Sequence, residues 1–150
     1  MNAYRLVKAK HAAAAFTGEG ARVYGGRWNS VGTPMVYAAQ SRALAAMETL
    51  VHTSGSGRRL DYVMFEIEIP DSVLEHVDPA SLPRDWQSME PPASLQVIGS
   101  AWQMSMASAV LLVPSALIHQ ESCVLLNPEH PDTAQIMIHY PVDFVFDERL

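Results

Sequence analysis

The sequence predicts a single α+β domain with a mixed, strand-rich core. The chain has 150 residues, which is a usual size for one domain. Hydrophobic residues make up 49% of it, a fraction too high for intrinsic disorder. The predicted strands outnumber the predicted helices and do not alternate regularly with them, which favours α+β over a doubly wound sheet. Residues 1–150 are therefore treated as one domain.

The first part of the chain is predicted to contain two strands and one helix. Tyr4–Val7 is a short strand candidate, and residues 16–32 contain five glycines and are predicted to be a loop. Pro34–Ala39 indicates a second strand, because valine and tyrosine favour a pleated, half-buried surface. Ser41 is a good N-cap for a helix that continues to about His52.

The rest of the chain is predicted to be richer in strands. Leu60–Ile69 alternates between an apolar and a more polar face, and Pro70 ends this strand. After a proline-rich connection, Ser94 is predicted to cap a helix with an apolar stripe. The stripe consists of Leu95, Ile98, Trp102 and Met106. The remaining strand candidates are residues 109–113, 124–126, 136–138 and 142–146.

The charge balance limits the partners of the protein. Ten Lys and Arg residues against 16 Asp and Glu residues give a net charge of −6, so direct binding of nucleic acid or of an anionic membrane is not expected. Any bound anion must be held by a few placed arginines. Cys123 is the only cysteine, which suits a reducing compartment. No signal peptide or membrane-spanning stretch is recognisable, so we expect a cytoplasmic protein.

A glycine-rich segment, residues 18–29, permits two interpretations. It is not a Walker loop, because no Gly-Lys-Ser/Thr follows, and it lacks the Gly-x-Gly-x-x-Gly spacing of a dinucleotide fingerprint. One interpretation is a flexible loop with tight turns, which glycine permits. The other is a binding loop, because Arg27, Trp28 and Asn29 together offer an anion clamp, a stacking face and an amide.

Glu48 is the most informative charged residue. In the predicted helix, Leu44, Met47 and Val51 form the apolar stripe, and Glu48 lies within or beside it. A carboxylate at such a position is costly unless it is paired or faces a cleft. Two interpretations of Glu48 therefore remain. It is a structural residue, in an ion pair or at the rim of the buried face, or it is a carboxylate held in a pocket, with Tyr37 as a candidate neighbour.

Other catalytic motifs are not indicated. The six histidines have no compact metal-binding spacing, so no metal is expected. A hydrolase serine nucleophile is not predicted either, because no Gly-x-Ser-x-Gly sequence exists. Ser115, directly after Pro114 at the end of a predicted buried strand, is either a cap or a polar group at the floor of a cleft.

Several blocks of the chain, taken together, resemble the RES domain family. The first block is the glycine-rich stretch that ends Tyr-Gly-Gly-Arg-Trp-Asn-x-x-Gly at Gly32. The later blocks are Tyr37-Ala38, Ala43–Glu48, Val113–Ala116, Leu125–Pro131 and Phe144–Leu150. They occur in order over nearly the whole chain, which makes the resemblance specific.

The resemblance carries expectations about fold and function. The family is named after an Arg, a Glu and a Ser, which correspond here to Arg27, Glu48 and Ser115, with Tyr37 as a fourth member. The resemblance implies a fold similar to that of ADP-ribosyltransferase toxins. It also implies the toxin of a type II toxin–antitoxin pair that depletes cellular NAD, with an Xre-like helix-turn-helix antitoxin as its partner and a homodimer within that complex. Family members often carry Asn where this chain has Cys123.

On this resemblance the expected substrate is NAD, cut between nicotinamide and ribose through a cation-like ribosyl transition state. Glu48 would hold a ribose hydroxyl and stabilise the oxocarbenium ion, and Arg27, assisted by Arg5, would bind the pyrophosphate. Tyr37 would stack on the nicotinamide ring, and Ser115 would either bind the carboxamide or orient Glu48. The residues expected to contact NAD are Arg5, Arg27, Tyr37 and Asn127.

The group that accepts ADP-ribose stays open. Water as acceptor makes the protein an NAD glycohydrolase, phosphate makes it an NAD phosphorylase, and a protein side chain makes it a protein ADP-ribosyltransferase. A different alternative is a non-catalytic module that acts only by binding its antitoxin.

Overall fold

The computed structural model describes every residue from Met1 to Leu150 and has an α+β architecture. The helices are α1 (Glu19–Tyr24), α2 (Arg42–Val51) and α3 (Ala93–Ser105). The strands are β1 (Asn2–Lys8), β2 (Val36–Ala39), β3 (Tyr62–Glu68), β4 (Leu74–His76), β5 (Val110–Pro114), β6 (Ser122–Leu126), β7 (Met137–Ile138) and β8 (Val142–Phe144). The predicted fold class is confirmed.

All eight strands belong to one mixed sheet. Its order is β4-β5-β6-β2-β1-β3-β7, and β8 also pairs with β3. Only β4 and β5 run parallel, whereas the other neighbours are antiparallel. In the register of the central strands, Cys123 on β6 lies opposite Ala39 on β2 and opposite Val113 on β5. This register brings the ends of three strands together at one place.

Strand β3 follows the predicted alternation, but its second face is not polar throughout. Val63 and Phe65 pack on one side, where the ring of Phe16 meets that of Phe65 edge to face at 5.1 Å. Tyr62 and Met64 point to the other side and are also buried. They are covered there because α2 and the C-terminal segment pack over that end of the sheet.

Helix α2 begins where the sequence predicts it, but buries a different face. The Ser41 hydroxyl accepts a hydrogen bond from the Leu44 amide at 3.0 Å, which confirms the N-cap. Leu44 is buried, whereas Met47 and Val51 are 45% and 57% exposed, so the predicted apolar stripe is wrong for these two residues. The helix packs on β1 and β2 through its Leu44 side, and Glu48 lies one turn further along that side.

Two other expectations about elements are wrong, and one strand was not predicted. The predicted loop contains α1, a single short helix that follows Gly18 in the left-handed conformation. Strand β4 was not expected, because three residues that pair in parallel leave almost no periodic signal. Ser94 does not cap α3, which begins at Ala93 with Pro92 before it and no side-chain cap.

The three helices also bear on membrane insertion: none combines the length and the apolar character that a membrane-spanning helix requires.

Candidate active site

A cleft of about 1130 Å³ opens beside β1, β2 and the glycine-rich loop. Its volume lies slightly above the range typical of small-molecule sites, roughly 300–1,000 Å³. The polar residues on its walls and floor include Arg5, Arg27, Tyr37, Glu48 and Cys123. Four of the six predicted site residues therefore line one cleft.

The carboxylate of Glu48 is held through only one of its oxygens. Its Oε1 accepts hydrogen bonds from the Ser115 hydroxyl at 2.8 Å and from the Cys123 thiol at 3.3 Å. Oε2 has no hydrogen-bond partner in the chain. Every fully buried side-chain nitrogen or oxygen does have such a partner, so Oε2 is exposed to solvent, and Glu48 lines the cleft. The arrangement fixes the carboxylate and leaves one oxygen available for a ligand.

Ser115 lies behind Glu48 and does not line the cleft itself. It is fully buried just after the end of β5, and its hydroxyl oxygen accepts from the amides of Leu117 and Ile118 at 3.1 and 3.2 Å. Because these two N–H groups occupy the oxygen, the hydroxyl hydrogen is directed to Glu48. Ser115 thus both caps a turn and donates to the carboxylate at the floor of the cleft.

Cys123 is the second donor to Glu48. Burial raises the pKa of its thiol far above the ordinary value, and the negative charge of Glu48 raises it further. The thiol therefore stays protonated at neutral pH and keeps a hydrogen to donate. The sequence identified this position only as a departure from the family pattern, and nothing in the sequence paired it with Glu48.

Tyr37 uses its hydroxyl inside the protein. The oxygen accepts from the Trp28 amide at 3.0 Å and donates to Asn29 Oδ1 at 2.7 Å. Burial raises the pKa of Tyr37 well above its usual range, so the hydroxyl remains neutral. Only the ring of Tyr37 is available to the cleft.

The structure gives Trp28 and Asn29 an internal role in the glycine-rich loop. Both are buried, and the Asn29 amide nitrogen donates to the carbonyls of Ala21, Ser30 and Thr33. These bonds fold the glycine-rich loop onto itself and leave no polar group of Asn29 free. Asn29 therefore offers no free amide to a ligand, whereas Trp28, although almost fully buried, is one of the residues that line the cleft.

The two arginines of the cleft are each partly occupied by backbone carbonyls. Arg5 donates to the carbonyl of Ala15 at 2.7 Å and to that of Tyr37, which leaves its Nη2 without a partner. Burial lowers the pKa of Arg5 to about 10, so its guanidinium remains charged at neutral pH. Arg27 donates to carbonyls of the segment that follows Pro83, and its Nε has no partner.

Asn127 lies away from these groups. It is buried at the end of β6, where its amide nitrogen donates to the Gln103 carbonyl at 2.9 Å and its Oδ1 accepts from the Glu129 amide at 3.0 Å. It does not line the cleft. Its position in a recognisable sequence block is explained by these bonds, which join β6 to α3.

The fold and the cleft together define an α+β domain with a large pocket built around one hydrogen-bonded carboxylate. Residues 2–147 match the family model described as RES domain, and the chain belongs to this family. The predicted resemblance is thereby confirmed.

Named relatives cover nearly the whole chain. A protein of Yersinia enterocolitica called Toxin Res is 41% identical over 100% of this chain and 99% of its own length. A protein of a Sphingobium species called Prs ADP-ribosylating toxin is 43% identical over 89% of this chain and 85% of its own. The toxin–antitoxin complex MbcT–MbcA of M. tuberculosis contains a chain of similar fold, with a TM-score of 0.77, 23% identity and coverage of 96% and 84%.

Proposed function

We propose that this chain is the toxin of a toxin–antitoxin pair and that it breaks the bond between nicotinamide and ribose in NAD. Membership of the RES domain family and the toxin names of the relatives support the first part. The structural neighbour belongs to a toxin–antitoxin complex, which agrees with it. The cytoplasm is where such a toxin would meet NAD.

The observation that carries the proposal is the geometry of Glu48. Breaking the glycosidic bond generates positive charge at the anomeric carbon of the ribose, and a carboxylate stabilises that charge. Glu48 has one oxygen fixed by Ser115 and Cys123 and one oxygen free at the cleft. A carboxylate fixed in this way needs no reorientation as the charge develops, which is the condition under which electrostatic stabilisation is strongest.

The other site residues would position the dinucleotide. Arg5 and Arg27 each retain an N–H group without a partner, and both residues line the cleft, so they suit the pyrophosphate. The ring of Tyr37 is a surface for the nicotinamide. Ser115 acts on Glu48 rather than on the carboxamide, because its hydroxyl already donates to that residue.

Two reactions use this same arrangement and differ in the acceptor. Both consume NAD and release nicotinamide. In the first, water or phosphate receives ADP-ribose. In the second, a protein side chain receives it, an alternative favoured by the relative named Prs ADP-ribosylating toxin. Both require the same cleavage, and therefore the same role for Glu48.

The experiment is incubation of the purified chain with NAD in water, with phosphate and with a cell extract, followed by mass spectrometry of the products. Glu48→Gln keeps the shape of the side chain and removes the charge, so NAD turnover should fall about 1,000-fold. Glu68→Gln, which neutralises an exposed carboxylate paired with His139, is the matched control and should retain full turnover. Absence of NAD cleavage by the wild-type chain with every acceptor would refute the proposal.

A separate experiment tests the partner. The chain should inhibit growth when expressed alone and should be neutralised by co-expression of the helix-turn-helix protein encoded beside it. The Glu48→Gln variant should still bind that protein but no longer inhibit growth. If the chain alone leaves cells viable and replete in NAD, it is instead a non-catalytic module that acts through its antitoxin.

A further inference from the structure

One wall of the cleft is an irregular segment, residues 86–91, here called the strap. The side chains of Gln87, Met89 and Pro91 line the cleft. The backbone of the strap faces Arg27: Nη1 donates to the carbonyls of Trp86 and Ser88 at 3.0 and 2.9 Å. The strap itself contains no helix or strand, and its Trp86 side chain packs against a buried cluster that includes Leu95 of α3 and Leu111 of β5. The positions of its other residues depend on a few specific contacts.

The strap has a second attachment, to the segment that follows Ser115. The ring of Trp86 meets the ring of His119 at 5.6 Å between centroids, in an edge-on arrangement. His119 belongs to the segment that follows Ser115, the residue that holds Glu48. The strap therefore connects the glycine-rich loop, through Arg27, with the segment behind the cleft floor.

Arg27 is not saturated by these bonds. Both hydrogens of its Nη1 are used, and Nη2 donates one weak bond to the Met89 carbonyl at 3.5 Å. Nε has no hydrogen-bond partner. Every fully buried side-chain nitrogen does have one, so Nε is accessible to solvent. The edge formed by Nε and Nη2 is one of the two edges of a guanidinium that bind an oxyanion through two parallel hydrogen bonds.

The positive charge of Arg27 acts inside the cleft even while it holds the strap. Burial raises the pKa of both Tyr37 and Cys123, and the charge of Arg27 opposes part of each rise. Carbonyl partners neutralise none of the formal charge, so the free edge remains attractive to an anion.

We propose that Arg27 holds the strap through one edge of its guanidinium and binds an oxyanion of the substrate through the other, so that substrate binding and ordering of the strap are coupled. The claim that Arg27 binds an oxyanion, here called the oxyanion half, rests on the proposed function, in which the substrate is a dinucleotide with a pyrophosphate. The claim that Arg27 holds the strap, here called the strap half, rests only on the contacts within the protein. Because coupling between two bound groups is reciprocal, a strap that is already ordered must also increase affinity for the dinucleotide.

Hydrogen exchange of the full chain tests the strap half without any ligand. The reporters are the amides of Trp86 and Ser88, which donate to the carbonyls of Pro83 and Asp85. In Arg27→Met these amides should exchange at least about tenfold faster than in the wild type, because two charge-assisted hydrogen bonds are lost. Arg22→Met is the matched control, since Arg22 is exposed and pairs only with Glu19, and it should leave the strap unchanged.

The oxyanion half is tested with NAD in the Glu48→Gln background, which is expected not to consume it. Each variant is measured at an NAD concentration that saturates it, as determined by calorimetry. NAD should slow hydrogen exchange of the strap amides about tenfold in Glu48→Gln, but should slow it little in the double variant Glu48→Gln/Arg27→Met. Arg27→Lys, which keeps the charge but not the two-pronged edge, should resemble Arg27→Met.

Two results would overturn the proposal. Strap exchange that is the same in Arg27→Met and in the wild type would show that Arg27 does not hold the strap. Equal slowing by NAD with and without Arg27 would show that the oxyanion and the strap are not coupled through it. If NAD does not bind at all while Arg27→Met still frees the strap, the proposed function fails together with the oxyanion half, and the strap half is retained.

Discussion

The floor of the cleft and its glycine-rich wall use their polar groups in opposite ways. On the floor, Glu48 has one oxygen fixed and one free. On the wall, the Tyr37 hydroxyl and the Asn29 amide are both occupied by partners inside the protein. The polar groups available to a ligand are therefore concentrated on the floor, with Arg27 as the exception on the wall, whereas most of the wall supplies shape.

The wall needs this internal bonding because the loop forms few regular backbone bonds. Buried N–H and C=O groups require partners, and in the loop the Trp28 amide finds one in the Tyr37 hydroxyl. Helix α3 adds a further bond, from Gln96 to the carbonyl of Gly26 at 3.0 Å. Arg27 is the exception on the wall, since part of its guanidinium remains free.

The largest effect on the wall is expected at Gly99, where α3 touches the loop. A Cβ at this position would lie 1.8 Å from the Trp28 carbonyl oxygen, so Gly99→Ala must push the loop and the helix apart. We expect a loss of about 3 kcal/mol in the free energy of unfolding, measured by urea denaturation. Gly20→Ala, which meets nothing within 4 Å, should be neutral or slightly stabilising. An unchanged stability for Gly99→Ala would contradict the close packing of the wall.

Tyr37→Phe separates the ring from the hydroxyl. Losing the hydroxyl leaves the Trp28 amide and Asn29 Oδ1 without this partner, so stability should fall by about 2 kcal/mol. Because the ring remains, NAD turnover at a temperature where the variant is folded should change less than about threefold. Tyr62→Phe, which loses a single bond to the Gly57 carbonyl, should cost about 1 kcal/mol. A collapse of turnover in folded Tyr37→Phe would mean that the wall hydroxyl takes part in the chemistry.

Ser115→Ala acts on the floor and should reduce turnover without changing the KM for NAD. Glu48 loses its shorter hydrogen bond, and we expect kcat to fall about tenfold, or roughly 1.4 kcal/mol. Ser41→Ala is a closely matched control, because Ser41 also accepts a backbone amide and donates to a glutamate, Glu121. It should cost about 1 kcal/mol in stability and leave kcat unchanged. Equal kcat values for the two variants would exclude a positioning role for Ser115.

The smallest effect concerns the Cys123 thiol, which reports the charge of Glu48. The thiolate is the form that reacts with iodoacetamide, and the raised pKa keeps its population low. Removing the negative charge in Glu48→Gln lowers the pKa, so alkylation at about pH 8 should accelerate about threefold. In both proteins the rate should increase with pH. Since Cys123 is the only cysteine, mass spectrometry of the intact chain measures this rate. Slower alkylation in Glu48→Gln would contradict the proximity of the two groups.

The elements predicted correctly are those whose signal is local. The cap of α2 at Ser41 and the strands around Tyr37 and Val63 follow from residue type and periodicity within about ten residues. The errors occur where burial depends on distant chain. Met47 and Val51 are exposed because the sheet covers only the Leu44 side of the helix, and no local pattern specifies which side the sheet will cover.

The candidate site shows the same division. Glu48 is recognisable as a carboxylate beside an apolar helix face, and the family blocks identify Arg27 and Ser115. The partners of these groups are not recognisable. Arg27 binds carbonyls about 60 residues away in a segment without any motif, and Asn127, although it lies in a motif, serves the packing of α3.

By itself the sequence determined that Ser41 caps α2 and that the helix carries Glu48 on the side of Leu44, because helical periodicity and capping act within a few residues. The tertiary structure alone decided what Glu48 contacts. The antiparallel register sets Cys123 opposite both Ala39, which precedes α2, and Val113, which precedes the Ser115 turn. Donors 67 and 75 residues away in sequence thereby meet one oxygen, because backbone pairing across the sheet fixes positions that the linear sequence leaves far apart.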